Sequence, residues 1–91
     1  MNAKILSKVI EVENRVNTIC KCLVLGEADH FTIEYSDREV DITAYSHDES
    51  TNNKLMDLMR IYANPEDGIR INKFEGKERN FWTSEIIIPL K

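Results

Sequence analysis

The sequence predicts an α+β protein, an antiparallel sheet of two hairpins with two helices packed on one face, in the order α-ββ-α-ββ. Apolar residues alternate with polar ones on both sides of a break at residues 36–39, which is typical of a half-buried β-hairpin. Two other segments repeat apolar residues at helical spacing. The C-terminal third contains two further strand-like segments separated by a polar turn.

The first element is an amphipathic helix over residues 3 to about 25. Its apolar positions are spaced 4-3-4-3-4 along one stripe: Ile5, Val9, Val12, Val16, Ile19 and Leu23. Residues 18–25 are also rich in strand formers, so both a helix and a strand remain open for that stretch. Gly26 is expected to supply the permissive backbone at the helix end.

The hairpin that follows is the most regular part of the pattern. If Tyr35 pairs with Val40 across the four-residue loop 36–39, then Glu34 lies directly opposite Asp41. Like charges in such a cross-strand pair destabilise a sheet by a few tenths to about 1 kcal/mol. Either the pair serves a function, or a cation from a neighbouring strand compensates it. Arg70 is the candidate cation.

A second helix follows a polar loop, with Ser50 or Thr51 as the expected N-cap. Its apolar stripe is Leu55, Leu58, Met59 and Tyr62, and Pro65 is expected to end it. Residues 69–74 and 81–90 then form the second hairpin around a turn at residues 75–80. In the last strand, Ile86 and Ile88 share one face and Ile87 points to the other, while pairing is expected to fail at Pro89.

Length and composition indicate a single domain over residues 1–91. Hydrophobic residues make up 42% and charged residues 31% of the chain, which is ordinary for a globular protein and unlike a disordered one. The sequence contains no apolar run long enough for a membrane span and no apolar signal segment near its start. We therefore expect a cytoplasmic protein without membrane contact.

Catalytic and metal-binding patterns are weak. Cys20 and Cys22 form a C-x-C pair that does not match the usual zinc spacing, so no metal and no cofactor are expected. Ser46, His47 and Asp48 are the residue types of a catalytic triad, but adjacent residues of one loop cannot adopt its geometry. We therefore expect a protein that is not an enzyme, with two reduced, buried or half-buried thiols.

Charge is the strongest functional indication. The net charge is −4, and residues 24–67 hold eleven acidic side chains against three basic ones. This distribution favours a basic partner rather than any particular fold. The leading hypothesis is a small acidic inhibitor, of the kind that mimics DNA, which engages a basic partner such as a nucleic-acid-binding protein. The predicted partner-binding residues are Glu34, Asp37, Glu39, Asp41, Asp48 and Glu49.

Two alternatives remain. The C-terminal hairpin interleaves cations with aromatic rings and could bind RNA or single-stranded DNA: Arg70, Lys73, Phe74, Lys77, Arg79, Phe81 and Trp82. The negative net charge and the lack of a basic stripe make direct nucleic-acid binding the less favoured interpretation. The other alternative is a homo-oligomer assembled through the long first helix or through Ile87.

Overall fold

A computed structural model of the chain describes residues 3–75 and 80–90. The predicted order α-ββ-α-ββ is confirmed. The elements are α1 (Ala3–Leu25), β1 (His30–Tyr35), β2 (Glu39–Ser46), α2 (Glu49–Tyr62), β3 (Gly68–Glu75) and β4 (Asn80–Pro89). The predicted turn between β3 and β4 lies largely outside the described residues, at positions 76–79.

The four strands form one antiparallel sheet in the order β1-β2-β4-β3. The two hairpins therefore meet through β2 and β4, and β1 and β3 are the edges. The register predicted for the first hairpin is confirmed, with Tyr35 opposite Val40 and Glu34 opposite Asp41. The expected failure of pairing at Pro89 is wrong, because Pro89 stays in register with Glu39 and the next N–H, of Leu90, donates to the Arg38 carbonyl at 2.8 Å.

Both helices pack on one face of the sheet, which carries the hydrophobic core. Every second residue of β2 and β4 belongs to this core, because successive side chains along a strand point to opposite faces of the sheet. Ile86 and Ile88 are buried on the helix side, and Ile87 between them is half-buried on the other side, as predicted. The buried apolar residues of the core are Val12, Val16, Ile19, Leu23, Val40, Ile42, Ala44, Leu55, Met59, Ile86 and Ile88.

α1 is helical throughout, which settles residues 18–25 as helix. Its end differs from the expectation, because Glu27 and not Gly26 adopts the left-handed backbone, with φ 64°. The Ala28 N–H donates to the Leu23 carbonyl at 3.1 Å, the bond that closes a Schellman-type cap. Gly26 is needed for space: a Cβ there would lie 2.8 Å from the Leu55 Cδ2 atom of α2.

α2 begins two or three residues earlier than the predicted caps imply. Its N-cap is Asp48, not Ser50 or Thr51, and it ends at Tyr62 before Pro65. Beyond its end, the Asp67 carboxylate pairs with the Arg15 guanidinium of α1, and Arg15 Nη2 also donates to the Tyr62 carbonyl at 3.0 Å. This ion pair fastens the loop after α2 to the first helix.

Candidate functional site

The face of the sheet opposite the helices is open, and we call it the open face. It carries the alternate residues of each strand that do not enter the core. Along β2 these residues are half-buried, whereas those pointing to the helices are buried. Among the described residues its side chains are His30, Thr32 and Glu34 of β1, Glu39, Asp41, Thr43 and Tyr45 of β2, Phe81, Thr83, Glu85, Ile87 and Pro89 of β4, and Arg70 and Asn72 of β3.

Glu34 and Asp41 face each other on the open face without a cation between them. The Thr43 hydroxyl donates to Asp41 Oδ1 at 3.2 Å, but neither carboxylate forms an ion pair with any described residue. Arg70, the expected cation, forms no ion pair with either carboxylate, although it lines the same hollow as both. Arg70 lies on β3, which β4 separates from β2, and its Nε donates to Glu85 Oε1 of β4 at 2.9 Å.

Glu85 belongs to the same acidic group and was not predicted. Its side chain is only 15% exposed. Burial raises the pKa of its carboxyl above the ordinary value, and a hydrogen bond with Asp41 and the charges of Asp41 and Glu39 act in the same direction, against the Arg70 cation. The alternation of apolar residues along β4 is enough to put Glu85 on the face of the sheet away from the core. Its position beside Asp41 depends on the pairing of β4 with β2.

Four of the six predicted partner-binding residues lie at one end of the first hairpin. Glu34, Glu39 and Asp41 occupy the open face, and together with Arg70 they line a hollow of about 340 Å³. Asp37 lies in the adjoining loop. The Ser36 hydroxyl oxygen orders this loop by accepting hydrogen bonds from the N–H groups of Arg38 and Glu39. We call Glu34, Asp37, Glu39, Asp41 and Glu85 the acidic cluster.

The other two predicted residues, Asp48 and Glu49, lie elsewhere. They follow the far end of β2, about 23 Å along the strand from Glu39. The Asp48 carboxylate caps α2, accepting from the Thr51 N–H at 2.7 Å and from the Thr51 hydroxyl at 2.8 Å. Both hydrogen bonds hold the pKa of Asp48 below its ordinary value, and the bond from the Thr51 N–H has the larger effect. This carboxylate therefore has a structural task.

The basic and aromatic residues of the C-terminal hairpin do not share one face where they are described. Arg70 lies on the open face and binds Glu85. Lys73 points to the helix side, where its Nζ lies 5.6 Å from the centre of the Trp82 ring. Lys77, Arg79 and the side chain of Phe74 lie outside what the structure describes.

A second hollow, of about 400 Å³, lies at the other end of the sheet from the acidic cluster. It is lined by Asp29, His30, Tyr45, Ser46, His47 and Phe81, and we call it the end pocket. His47 Nδ1 lies 2.6 Å from Asp29 Oδ2, so the partner of this imidazole is Asp29 and not its neighbour Asp48. The Ser46 hydroxyl makes no hydrogen bond to His47, so these side chains do not form a nucleophile–base pair.

The described residues contain no group of three His, Cys, Asp or Glu side chains that could hold a metal ion. Cys20 and Cys22 are half-buried free thiols, as predicted, and burial raises the pKa of the Cys20 thiol. No helix within the described ranges is long and apolar enough to cross a membrane. A larger hollow of about 560 Å³ lies between α1 and β1, near Cys20 and Phe31 and away from the acidic cluster.

In comparisons with known proteins, no protein-family model matches this chain, and no curated protein sequence matches it.

Proposed function

We propose that this protein is a non-enzymatic binding module, a small acidic inhibitor that covers a basic surface of a partner protein with its open face. The observation that carries the proposal is the position of Glu34 directly opposite Asp41, with no cation bound to either carboxylate. Asp37, Glu39 and Glu85 extend this acidic cluster. Asp48 and Glu49 are not part of the proposed contact, because they lie at the start of α2.

The arrangement is unfavourable for the free protein. Like charges directly opposite in an antiparallel pair destabilise it, and Glu85 adds a third, poorly exposed carboxyl beside Asp41. Arg70, the cation that lines the hollow together with Glu34 and Asp41, is bound to Glu85. A partner that supplied arginine and lysine side chains would relieve this repulsion, so part of the binding free energy would come from the strain of the free state.

The shape of the open face suits a protein partner. Small-molecule sites are generally concave and mostly apolar, whereas this face is a sheet surface whose hollow is bounded by charged side chains, among them Glu34, Asp41 and Arg70. Rows of carboxylates on a rigid sheet can occupy the positions of phosphates and pair with the same cationic side chains. A nucleic-acid-binding protein is accordingly the proposed class of partner, and the cytoplasm is the proposed location.

The test is affinity capture from a lysate of the native host. The bait is the tagged chain as wild type, as Glu34→Lys/Asp41→Lys, and as the control Asp57→Lys/Glu66→Lys. The control changes the net charge equally at exposed positions on α2 and in the loop after it. Circular dichroism and thermal unfolding establish that all three baits are folded, and eluates are assayed by mass spectrometry and for nucleic acid.

We expect one near-stoichiometric basic protein with wild type and with the control, and its loss with Glu34→Lys/Asp41→Lys. The purified wild-type chain should then compete with nucleic acid for that partner. Retention of the partner by the open-face variant would contradict the proposal. Nucleic acid recovered with all three baits would favour the C-terminal hairpin instead, and empty eluates from every bait would favour self-association.

A further inference from the structure

We propose that the basic partner adds an extended segment to the free edge of β1, as a fifth strand with basic side chains on the open face and apolar side chains on the helix side. This inference rests on the proposed function and describes how the partner is held. β1 is an edge of the sheet, so its outer side is available for backbone pairing. Strand addition to a sheet edge is a recurrent mode of peptide recognition.

The hydrogen bonds on the two sides of β2 show which backbone groups of β1 are free. The Ser36 N–H donates to the Glu39 carbonyl at 3.0 Å, on the β1 side. The Leu90 N–H donates to the Arg38 carbonyl at 2.8 Å, on the β4 side. Bonded and non-bonded pairs alternate along an antiparallel ladder, so the even-numbered residues of β1 bond to β2. The residues that direct their N–H and C=O groups to the outer side are therefore Phe31, Ile33 and Tyr35.

The side chains of these three residues form an apolar row on the helix side of β1. Ile33 is 36% exposed and Tyr35 63% exposed. Their cross-strand neighbours on β2, Ile42 and Val40, are wholly buried. The helices therefore cover the apolar side of β2 and leave much of the row along β1 accessible.

The hollow of about 560 Å³ between α1 and β1 borders this row. Its lining consists of Phe31 and of residues in the last third of α1: Asn17, Cys20, Lys21, Val24 and Leu25. Val24 is 64% and Leu25 79% exposed, so apolar surface flanks the free edge. An apolar side chain placed opposite Phe31 on an added strand would pack against this surface and be removed from water.

The other edge of the sheet is guarded by a charge, whereas β1 is not. On β3 the Lys73 side chain points to the helix side, where its Nζ lies 3.6 Å from Glu75 Oε1 and 5.6 Å from the centre of the Trp82 ring. An inward-pointing lysine on an edge strand opposes pairing with another strand, because pairing would bury its charge. β1 contains no lysine, arginine or proline. The edge suited to accept a strand is therefore β1.

Charge complementarity decides which strand fits this edge. Glu34 lies on the open-face side of β1 and forms no ion pair with a described residue. An arginine or lysine directly opposite it on an added strand would form the favourable cross-strand pair that Glu34 does not form with Asp41. A second copy of this chain would bring an edge without lysine or arginine, together with a second acidic cluster. A segment of the basic partner in which basic and apolar residues alternate is the better match.

The test uses a blocked heptapeptide in which four valines alternate with three arginines. In the proposed pairing the valines lie opposite the outward-bonding residues of β1, so the valine N–H groups face β1 and the arginine N–H groups face away. Two further peptides carry a single N-methyl group, either on a central valine or on the arginine beside it. Binding to the ¹⁵N-labelled full chain is followed by amide shifts, which we expect along residues 31–35 and 20–25.

The N-methyl group on valine should weaken binding by about tenfold, because it removes a backbone hydrogen bond to β1 and leaves an acceptor unpaired. The same group on arginine should change binding little, and a peptide with glutamate in place of arginine should not bind. Equal weakening by the two N-methyl groups would overturn the inference, as would shifts confined to β3.

Two matched variants of the chain test the edge itself. Ile33→Lys gives β1 the kind of inward-pointing charge that Lys73 supplies on β3, and should weaken binding of the unmethylated peptide by about tenfold. The control is Ile71→Lys on β3, whose side chain is 48% exposed, and it should bind like wild type. Circular dichroism establishes that both variants are folded. A free wild-type chain that sediments as a dimer and becomes monomeric with Ile33→Lys would overturn the inference, because the second copy would then occupy the edge.

The two proposals fail in different ways. A basic protein that is lost with Glu34→Lys/Asp41→Lys but captured equally by wild type and Ile33→Lys would overturn the added strand and leave the inhibitor proposal standing. Binding of the alternating peptide along β1, together with no basic protein captured by any bait, would leave the strand site standing and contradict the inhibitor proposal.

Discussion

The two faces of β2 follow opposite rules. On the helix side Val40, Ile42 and Ala44 are wholly buried and pack against α1, α2 and β4. On the open side Glu39 and Asp41 alternate with them, and Asp41 faces Glu34 on one neighbour and lies beside Glu85 on the other. One side satisfies each local preference of a sheet, and the other breaks the rule on like charges.

This difference separates the residues that hold the fold from those available for function. Since the helix side supplies the apolar burial, the open side can carry repulsive charges without unfolding the domain. Natural sequences usually agree with their fold at each level, and a persistent local conflict indicates a functional surface. The comparison also leads to predictions for each face, because a substitution should change stability in a direction set by the face on which it lies.

The largest expected effect comes from the three consecutive isoleucines of β4. Ile86→Ala and Ile88→Ala each remove a buried side chain and should lower the free energy of unfolding by about 2–5 kcal/mol in urea titrations. Ile87→Ala, on the open face, should lower it by about 1 kcal/mol or less. If Ile87→Ala were as damaging as its neighbours, the open face would be covered in solution, and sedimentation would then show an oligomer.

A smaller effect is expected at Asp48, the acidic residue with a structural task. Asp48→Ala should lower the unfolding temperature, because α2 loses the acceptor for the Thr51 N–H. Since the folded pKa of Asp48 is lowered, its stabilising contribution is present above the unfolded pKa and is lost as the pH falls through the folded pKa. Partner capture by Asp48→Ala should equal that of wild type. Loss of the partner from a folded Asp48→Ala chain would return this residue to the binding surface.

Glu85 should show the opposite dependence on pH. Its pKa is raised in the folded protein, so the proton it binds stabilises the fold fully below the unfolded pKa, and this contribution is lost as the pH rises through the folded pKa. Relative to Glu85→Gln, wild type should therefore lose stability between acidic and neutral pH. Thermal unfolding across that range measures the difference, and a gap between the two chains that does not change with pH would contradict the assignment.

Local patterns in the sequence predicted the elements and the first hairpin well. The period-2 alternation around residues 36–39 fixed the register that places Glu34 opposite Asp41, because a slip of one residue would turn the apolar set to solvent. The apolar stripe of α1 outweighed the strand formers after Thr18, since that stripe continues to Leu23 in the core. Asp48 was missed as the N-cap because Asp48, Ser50 and Thr51 are all residue types that cap helices.

Features that depend on long-range packing could not be predicted. Besides β1, β2 pairs with β4 and not with β3. This pairing brings Glu85 beside Asp41 and leaves Arg70 separated from β2 by one strand. Asp29 and His47, which meet in the end pocket, are 18 positions apart in the chain, so no local spacing in the sequence predicts their contact. Gly26 was expected to be needed for its backbone, but it is needed because α2 passes close to it.

The most direct test of the account neutralises the opposed pair and measures stability and binding on the same protein. Glu34→Gln/Asp41→Asn keeps the shape of both side chains and removes their repulsion. The account predicts a chain that is more stable than wild type by a few tenths to about 1 kcal/mol in urea at neutral pH and that no longer captures the basic partner. A variant that is less stable than wild type, or that still captures the partner, would show that these carboxylates are ordinary surface charges.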